Sequence, residues 1–294
     1  MNINFVQYRK IYFLFSGIII LAGIFSLLFF GLKLGIDFTG GSILEIEYVN
    51  NRPSNQEIRE KLKDFNLGDF SIQPTGEKGV ILRMKDINQE THQKIIEKLG
   101  EIKELRFESI GPTIGKELKE KTKVVIIFSL LAILLYIIFA FSRVSRPIKS
   151  WQYGIVSILI LSHDLLMPLF VFSLLGKYYG VQVTIPVIVA LLTVVGYAIN
   201  NVVVVFDRIR EIILKTRLES FEQIVNIAIN QTLSRQLNTS LTTLFPLLFI
   251  YFFGGETLKY FSLALIVGII AGLYSSIFLA GPILVSWQKR MRGR

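Results

Sequence analysis

Apolar residues run through this chain in long blocks, and polar residues interrupt two of those blocks at helical spacing. The blocks lie at 11–32, 124–141, 153–175, 184–206, 237–253 and 260–285. Stretches of roughly 17–25 apolar residues are what a helix needs to cross a bilayer, so six spans are predicted. Within the fourth, Thr193, Gly196, Tyr197, Asn200 and Asn201 fall on one helix face by the i, i+3, i+4, i+7, i+8 rule. Arg235, Asn238, Thr239, Thr242 and Thr243 repeat that spacing at the head of the fifth. Amides, hydroxyls and a guanidinium are costly in hydrocarbon, so both stripes are expected to face protein or water.

Between the first two blocks the pattern changes. Residues 41–49 alternate apolar and polar side chains, which predicts a strand. Ser54 stands three residues before Glu57, the spacing of a helix N-terminus, and the helix should run to about Phe65. Two further strands are predicted at 70–74 and 80–84, joined by the turn residues 75–79. A second helix follows at 88–99, with Ile95, Ile96 and Leu99 inward and Gly100 as its stop. A last strand at 104–110 completes a β-α-β-β-α-β order, that of the ferredoxin-like split βαβ unit. Segment 207–234 carries Ile209, Ile212, Ile213, Phe221, Ile224, Val225 and Ala228 among charges, an amphipathic pattern that predicts a helix on the membrane surface, with docking onto a partner as the alternative. The last block shows Ala264, Gly268, Gly272 and Ser276 at intervals of four, a ridge that lets membrane helices approach closely.

Composition agrees: the 294 residues are 52% hydrophobic, with a mean hydropathy of +0.54. The net charge of +10 is unevenly placed. Segment 33–123 is neutral, and the remaining basic excess gathers at Arg9/Lys10, at Arg143/Arg146/Lys149, in 208–235 and in 289–294. By the positive-inside rule both termini and those two loops are cytoplasmic, and the neutral segment lies outside. Arg9 and Lys10 precede the first block as they would in a secretory leader, but its apolar core is too long and no small-residue cleavage site follows, so it reads as a retained anchor. A basic excess that follows topology in this way does not argue for nucleic acid, and no nucleic-acid-binding motif is present.

The chain has no cysteine, so disulfides and thiolate chemistry are excluded. Its two histidines, His92 and His163, form no metal-ligand pair, and no phosphate-binding loop is present. No cofactor, metal or nucleotide is expected, and no enzymatic activity. Asp164, near the middle of the third span, is costly if charged and must be neutral, paired or hydrated. Asp207 and Arg208 end the fourth span, where interfacial anchoring is the simpler role. Arg235 opens the fifth, either snorkelling to the interface or turning inward beside Asn201.

Several motifs carry a family likeness. Residues 35–41, Gly-Ile-Asp-Phe-Thr-Gly-Gly with Asp37, Gly40 and Gly41, resemble the signature of the SecD/SecF family of bacterial protein translocase subunits. Gly196 to Asn200, Val203 through Asp207 and Arg208 to Glu211, Gln231 to Arg235 with Thr239 and Ser240, His163-Asp164 and Gly254-Gly255 resemble the SecF branch. The resemblance implies a membrane subunit of the resistance-nodulation-division superfamily in the bacterial plasma membrane. It also implies pairing with SecD beside the SecYEG channel, and use of the proton-motive force to help unfolded exported polypeptides leave. In that family an aspartate usually follows the position of Asn200; here it is Asn201, and an amide does not titrate in an accessible range. Three readings stay open: SecD's carboxylate acts alone, Asp164 substitutes, or another ion such as sodium is coupled through neutral oxygens.

The fold class expected is therefore an α-helical polytopic membrane protein of six spans with one small extracytoplasmic α+β domain. The segments are 1–32 (N-terminus and first span), 33–123 (external domain), 124–206 (spans two to four), 207–234 (cytoplasmic amphipathic segment) and 235–294 (spans five and six with a basic tail). Asp164, Asn200, Asn201, Arg235 and Thr239 are the ion-coupling candidates. A structural SecD partner without coupling, and a proton-coupled exporter of lipids or small molecules, are the rival functions.

Overall fold

The computed structural model describes residues 3–68, 70–140, 148–215 and 220–292. The chain forms two compact units, Leu34–Val125, and Met1–Lys33 together with Ile126–Arg294. A 3-10 turn, Phe5–Tyr8, leads into α1 (Arg9–Phe29). The smaller unit opens with a single turn, α2 (Ile36–Thr39), then β1 (Gly41–Tyr48), α3 (Asn55–Lys61), β2 (Ser71–Thr75), β3 (Gly79–Met84), α4 (Gln89–Leu99) and β4 (Ile102–Ile110). Helix α5 (Pro112–Ala140) follows. The strands make one antiparallel sheet in the order β2-β3-β1-β4. Leu44 of β1 stands opposite Leu82 of β3 and Phe107 of β4, so apolar positions share one face. Ile58, Leu62, Ile95 and Leu99 of the helices pack with Leu44, Ile46 and Leu82 of the sheet to form the core.

Local chemistry sets the boundaries. Ser54 Oγ accepts from Glu57 N at 3.2 Å and Asn88 Oδ1 from Thr91 N at 3.0 Å, so each helix begins with a side-chain cap. Helix α4 stops at Gly100, whose φ of +94° favours glycine. Two expectations need correction. Helix α3 stops at Lys61 rather than near Phe65, because the chain turns after Leu62 to bury Leu67 as well, and Leu67 O accepts from Lys85 N at 3.0 Å. Ile96 is only half-buried; His92 takes that place on the inner face, stacked 3.8 Å from Phe107.

In the larger unit α6 (Ser150–Tyr179), α7 (Ile185–Lys215), α8 (Phe221–Phe253), α9 (Glu256–Ser275), a π-helical turn (Ser276–Ala280) and α10 (Gly281–Arg292) follow. Five helical stretches among the described residues are long and apolar enough to cross a membrane: Phe5–Phe29, Ser150–Tyr179, Ile185–Lys215, Phe221–Phe253 and Leu258–Met291. The expected second span, 124–141, falls on the C-terminal part of α5; its last residue, the basic residues Arg143 and Arg146, and the end of the basic tail lie outside the described residues. Helix α9 packs against α6, α7 and α8, and α1 packs against α6. On α1 the large side chains Leu14, Ile18, Leu21, Phe25 and Leu28 remain exposed, the surface that a lipid solvent accepts.

The separate surface helix expected in 207–234 is not what forms. Residues 207–215 continue α7 and 221–234 open α8, while 216–219 lie outside the described residues. The apolar side of the pattern is buried: Ile209, Phe221, Val225, Ala228 and Ile229 join the helical core. The amphipathic signal came from two long helix ends covering one another. Asn226 and Asn230 of this region hold the start of the chain, accepting from Phe5 N at 2.9 Å and Ile3 N at 3.0 Å. The last span is likewise not one regular helix, since the π turn adds a residue beside two buried serines.

Candidate functional site

The two polar stripes sit on α7 and α8, and both lie largely outside the bundle. Thr193, Gly196 and Asn200 on α7 and Arg235, Asn238 and Thr242 on α8 are exposed, while Tyr197, Thr239 and Thr243 are half-buried. They meet at one point, where Tyr197 Oη stands 3.4 Å from Thr243 Oγ1. These faces are therefore not covered within the described residues, and the expectation that they face protein or water falls on what surrounds the chain. Arg235 does not turn inward beside Asn201, and no carboxylate pairs with it among the described residues. The threonines need no outside partner: Thr193, Thr239, Thr242 and Thr243 each donate to the carbonyl four residues back, at 2.8, 2.8, 3.0 and 3.0 Å. The guanidinium and the amides of Asn200 and Asn238 are what remain for another molecule to satisfy.

Asn201 and Asp164 are inside. Asn201 is 2% exposed, and its Nδ2 has no hydrogen-bond partner among the described residues. Asp164 on α6 is fully buried; Oδ1 lies 2.9 Å from His163 Nδ1, and Oδ2 accepts from Ser275 Oγ of α9 at 2.8 Å. The small-residue ridge explains how α9 comes so near. A Cβ on Gly272 would stand 3.3 Å from Ala198 of α7 and 3.6 Å from Asp164 Oδ2, so α6, α7 and α9 converge there. One residue on, Ser276 Oγ donates to Gln236 Oε1 of α8 at 2.5 Å, and Gln236 Nε2 donates to Thr232 Oγ1 at 3.2 Å.

Gln236, Ser275 and the roles of Thr232 and Ser276 escaped sequence reasoning. The signal was available: Thr232, Gln236 and Ser240 follow one another at intervals of four on α8, and all three are buried. They were overshadowed by the more polar stripe that begins at Arg235, next to Gln236. Asp207 and Arg208 act locally. Asp207 is exposed and bonded to Arg210 at 2.7 Å, while Arg208 bonds Glu211 and, at 2.7 Å, Gln231 of α8.

The Gly40-Gly41 pair is explained by packing. Gly40 has φ +75° and Gly41 φ +130°, values that side chains disfavour. A Cβ on Gly40 would stand 2.8 Å from Pro112 Cα, and one on Gly41 2.7 Å from Met84 O. The pair threads the chain between the end of β3 and the start of α5, and Asp37 lies one turn earlier in α2.

Comparison with known proteins agrees with this architecture. The family model described as protein export membrane protein SecD/SecF, C-terminal, matches residues 91–290, and the SecD/SecF GG motif matches 25–51. Protein translocase subunit SecF of Thermobaculum terrenum is 41% identical, with 98% of this chain and 95% of that one covered. SecF of Anaerolinea thermophila is 36% identical, covering 97% and 94%. The crystal structure of SecDF from Thermus thermophilus, described as a translocon-associated membrane protein, superposes with a TM-score of 0.86 at 33% identity. The match takes in 99% of this chain but only 39% of the SecDF chain. SecDF in its super-membrane-facing form gives a TM-score of 0.71 at 32% identity over 100% of this chain and 40% of that one. This multi-pass membrane chain belongs to the SecD/SecF family of protein-export membrane proteins, on its SecF branch.

Proposed function

We propose that the chain is an accessory subunit of the Sec translocase that works with SecD and the SecYEG channel to promote late steps of protein export. It would sit in the bacterial plasma membrane with six spans and cytoplasmic termini, its ferredoxin-like unit, roughly residues 33–123, facing outward and meeting the emerging unfolded polypeptide. The observation that carries the reading is the exposed polar face of α7 and α8, with Asn200, Arg235 and Asn238 unsatisfied on helices otherwise fit for lipid. A guanidinium and two amides on a helix face turned to lipid are costly, so another protein surface, one offering a carboxylate and amide partners, is the natural cover. The remaining length of the matched SecDF chain supports SecD as the source of that surface.

Ion coupling belongs to this face and to the acid behind it. One elementary charge crossing about 100 mV releases roughly 2.3 kcal/mol, enough to bias two states a few kcal/mol apart. Arg235 would answer a titrating carboxylate of SecD, while Asn200, Asn201 and Thr239 furnish neutral oxygens and Asp164 an internal acid. The deciding experiment is Arg235→Ala: export of a reporter should fall at least about tenfold, roughly 1.4 kcal/mol of lost coupling, while the variant still co-purifies with SecD. Normal export would end the role assigned to Arg235. A second reading, a structural subunit with no coupling of its own, draws on Asn201, which cannot carry a proton. Full export with Arg235→Ala and Asp164→Asn combined would decide for it.

A further inference from the structure

Inside the bundle, away from the exposed stripes, lies a titratable cluster of which the export reading draws only on Asp164. His163 is 4% exposed and Asp164 fully buried. Their mutual bond uses His163 Nδ1, and Nε2 has no hydrogen-bond partner among the described residues. The neighbouring helices bring no compensating charge. Helix α9 turns Ser275 and Tyr274 toward the pair, with the Tyr274 ring 6.1 Å from that of His163. Tyr274 Oη in turn meets Ser16 of α1 at 3.1 Å and the carbonyl of Tyr12 at 3.4 Å. Helix α7 contributes Ala198 beside Gly272 and the buried amide of Asn201. Among the described residues the only ion-pair partner of Asp164 is His163 itself.

We propose that His163 and Asp164 form an internal binding site for a single proton, and that its occupancy is read by Ser275 at the start of the π turn. Without the added proton, a neutral imidazole donates from Nδ1 to a carboxylate and the pair carries one negative charge, which burial makes expensive. A proton delivered from water by hydronium lands on Nε2. The pair is then neutral, either as imidazolium with carboxylate or, once the Nδ1 hydrogen has passed to Asp164, as imidazole with carboxylic acid. One N–H bond forms at Nε2, and the hydronium returns to water. The bond from Ser275 to Oδ2 keeps its charge assistance as long as Asp164 is a carboxylate and loses it once the Nδ1 hydrogen has passed to Asp164, so that transfer loosens it. Ser275 closes α9, and the adjacent Ser276 holds Gln236 of α8. The proton is thus reported to α8 through two neighbouring serines. A metal cation does not suit the place: it wants several oxygen ligands, and no cluster of three His, Asp or Glu side chains exists among the described residues.

This site rests on the chain's own geometry, and its test is separate from export. The full chain in nanodiscs carries only two histidines, His92 and His163, so side-chain nitrogen NMR resolves both, and His163→Gln assigns them. As the sample is acidified through a pH series the His163 Nε2 signal should pass from bare to protonated, and the Ser275 and Ser276 amides should shift with the same midpoint. Asp164→Asn should displace that midpoint by about tenfold or more in proton concentration. Ser275→Ala keeps both titrating groups, so it tests the same link with a smaller displacement if the first variant folds poorly. A His163 signal constant over the range overturns the proposal, as do serine amides that ignore it. So does a transition driven by sodium at fixed pH. None of these results bears on whether Arg235→Ala blocks export.

Discussion

Replacing Gly268 by alanine tests the helix packing on which the site depends. A Cβ at that position would stand 2.2 Å from Val194 Cγ2, 2.5 Å from Cγ1 and 2.9 Å from Cβ. Carbon atoms in contact prefer about 3.5–4.0 Å, so the shortfall is about 1.3 Å or more. Rotation of Val194 does not relieve it. A β-branched residue in a helix has one strongly preferred rotamer, and the Val194 Cβ is itself too close. Helix α7 must therefore draw back from α9, loosening the close packing one turn away, where a Cβ on Gly272 would stand 3.3 Å from Ala198. Overpacking of this kind costs typically 1–3 kcal/mol; with no flexible side chain to yield, we expect about 2–3 kcal/mol. That is roughly 30- to 140-fold in the unfolding equilibrium. Denaturant unfolding in nanodiscs, followed by the fluorescence of Trp151 and Trp287, whose rings lie 5.4 Å apart, measures it. Val194→Ala removes both Cγ atoms, so the double variant should be more stable than Gly268→Ala alone. Gly196→Ala, with nothing within 4 Å of the added carbon, is the control; it should be neutral or gain up to about 1 kcal/mol from helix propensity. Parental stability in Gly268→Ala, or strict additivity in the double variant, would refute the packing argument.

Two other outcomes follow from the same coordinates. Gly41→Ala should destabilise the smaller unit by about 1–3 kcal/mol, since its Cβ meets Met84 O at 2.7 Å; faster amide hydrogen exchange in β1 and β3 would register the loss, and unchanged protection would contradict it. Ser275→Ala should cost more than Gln236→Leu. The serine is one of two groups bonded to a buried acid, a charged hydrogen bond worth about 1.5–3 kcal/mol. The partners of Gln236 keep second bonds, Ser276 to Leu273 O at 3.0 Å and Thr232 to Ala228 O at 2.9 Å. Its loss should therefore cost only about 0.5–1.5 kcal/mol, and the reverse ranking in thermal unfolding would refute the network.

Much of the fold was legible because its signals are periodic. Ser54 caps its helix through the side chain the spacing marked, and β1 follows the alternation of apolar positions, whereas Asn88, read as the first helical residue, proves to be the cap of α4. What periodicity does not show is which neighbour covers a face. The apolar residues of 207–234 looked like a membrane-surface helix because an amphipathic end buried against another helix has the same pattern as one laid on lipid. The stripes of α7 and α8 were visible for the same reason, yet their outward orientation was not, because α8 carries two polar rows one residue out of phase. The π turn had no sequence mark beyond the pair Ser275-Ser276, and hydrogen bonding across helices is a property of the assembled bundle rather than of any one segment.

That phase difference has a mechanical consequence. Arg235 points out of the bundle and Gln236 into it; on α7, Asn200 points out and Asn201 in. Successive residues on a helix are about 100° apart, so each wall between the exposed face and the interior is a single helix thick. A partner that draws on Arg235 applies torque to α8, and Gln236 is the next side chain to move. Gln236 is held by Ser276, next in sequence to the serine that holds Asp164. Helix α9 cannot follow by sliding along α7, because Gly268 is already pressed on Val194 and Gly272 on Ala198. The π turn lies where that constraint ends, immediately after Ser275. On the proposed reading, strain entering at the exposed arginine and a charge change at the buried acid would therefore meet at the same two serines.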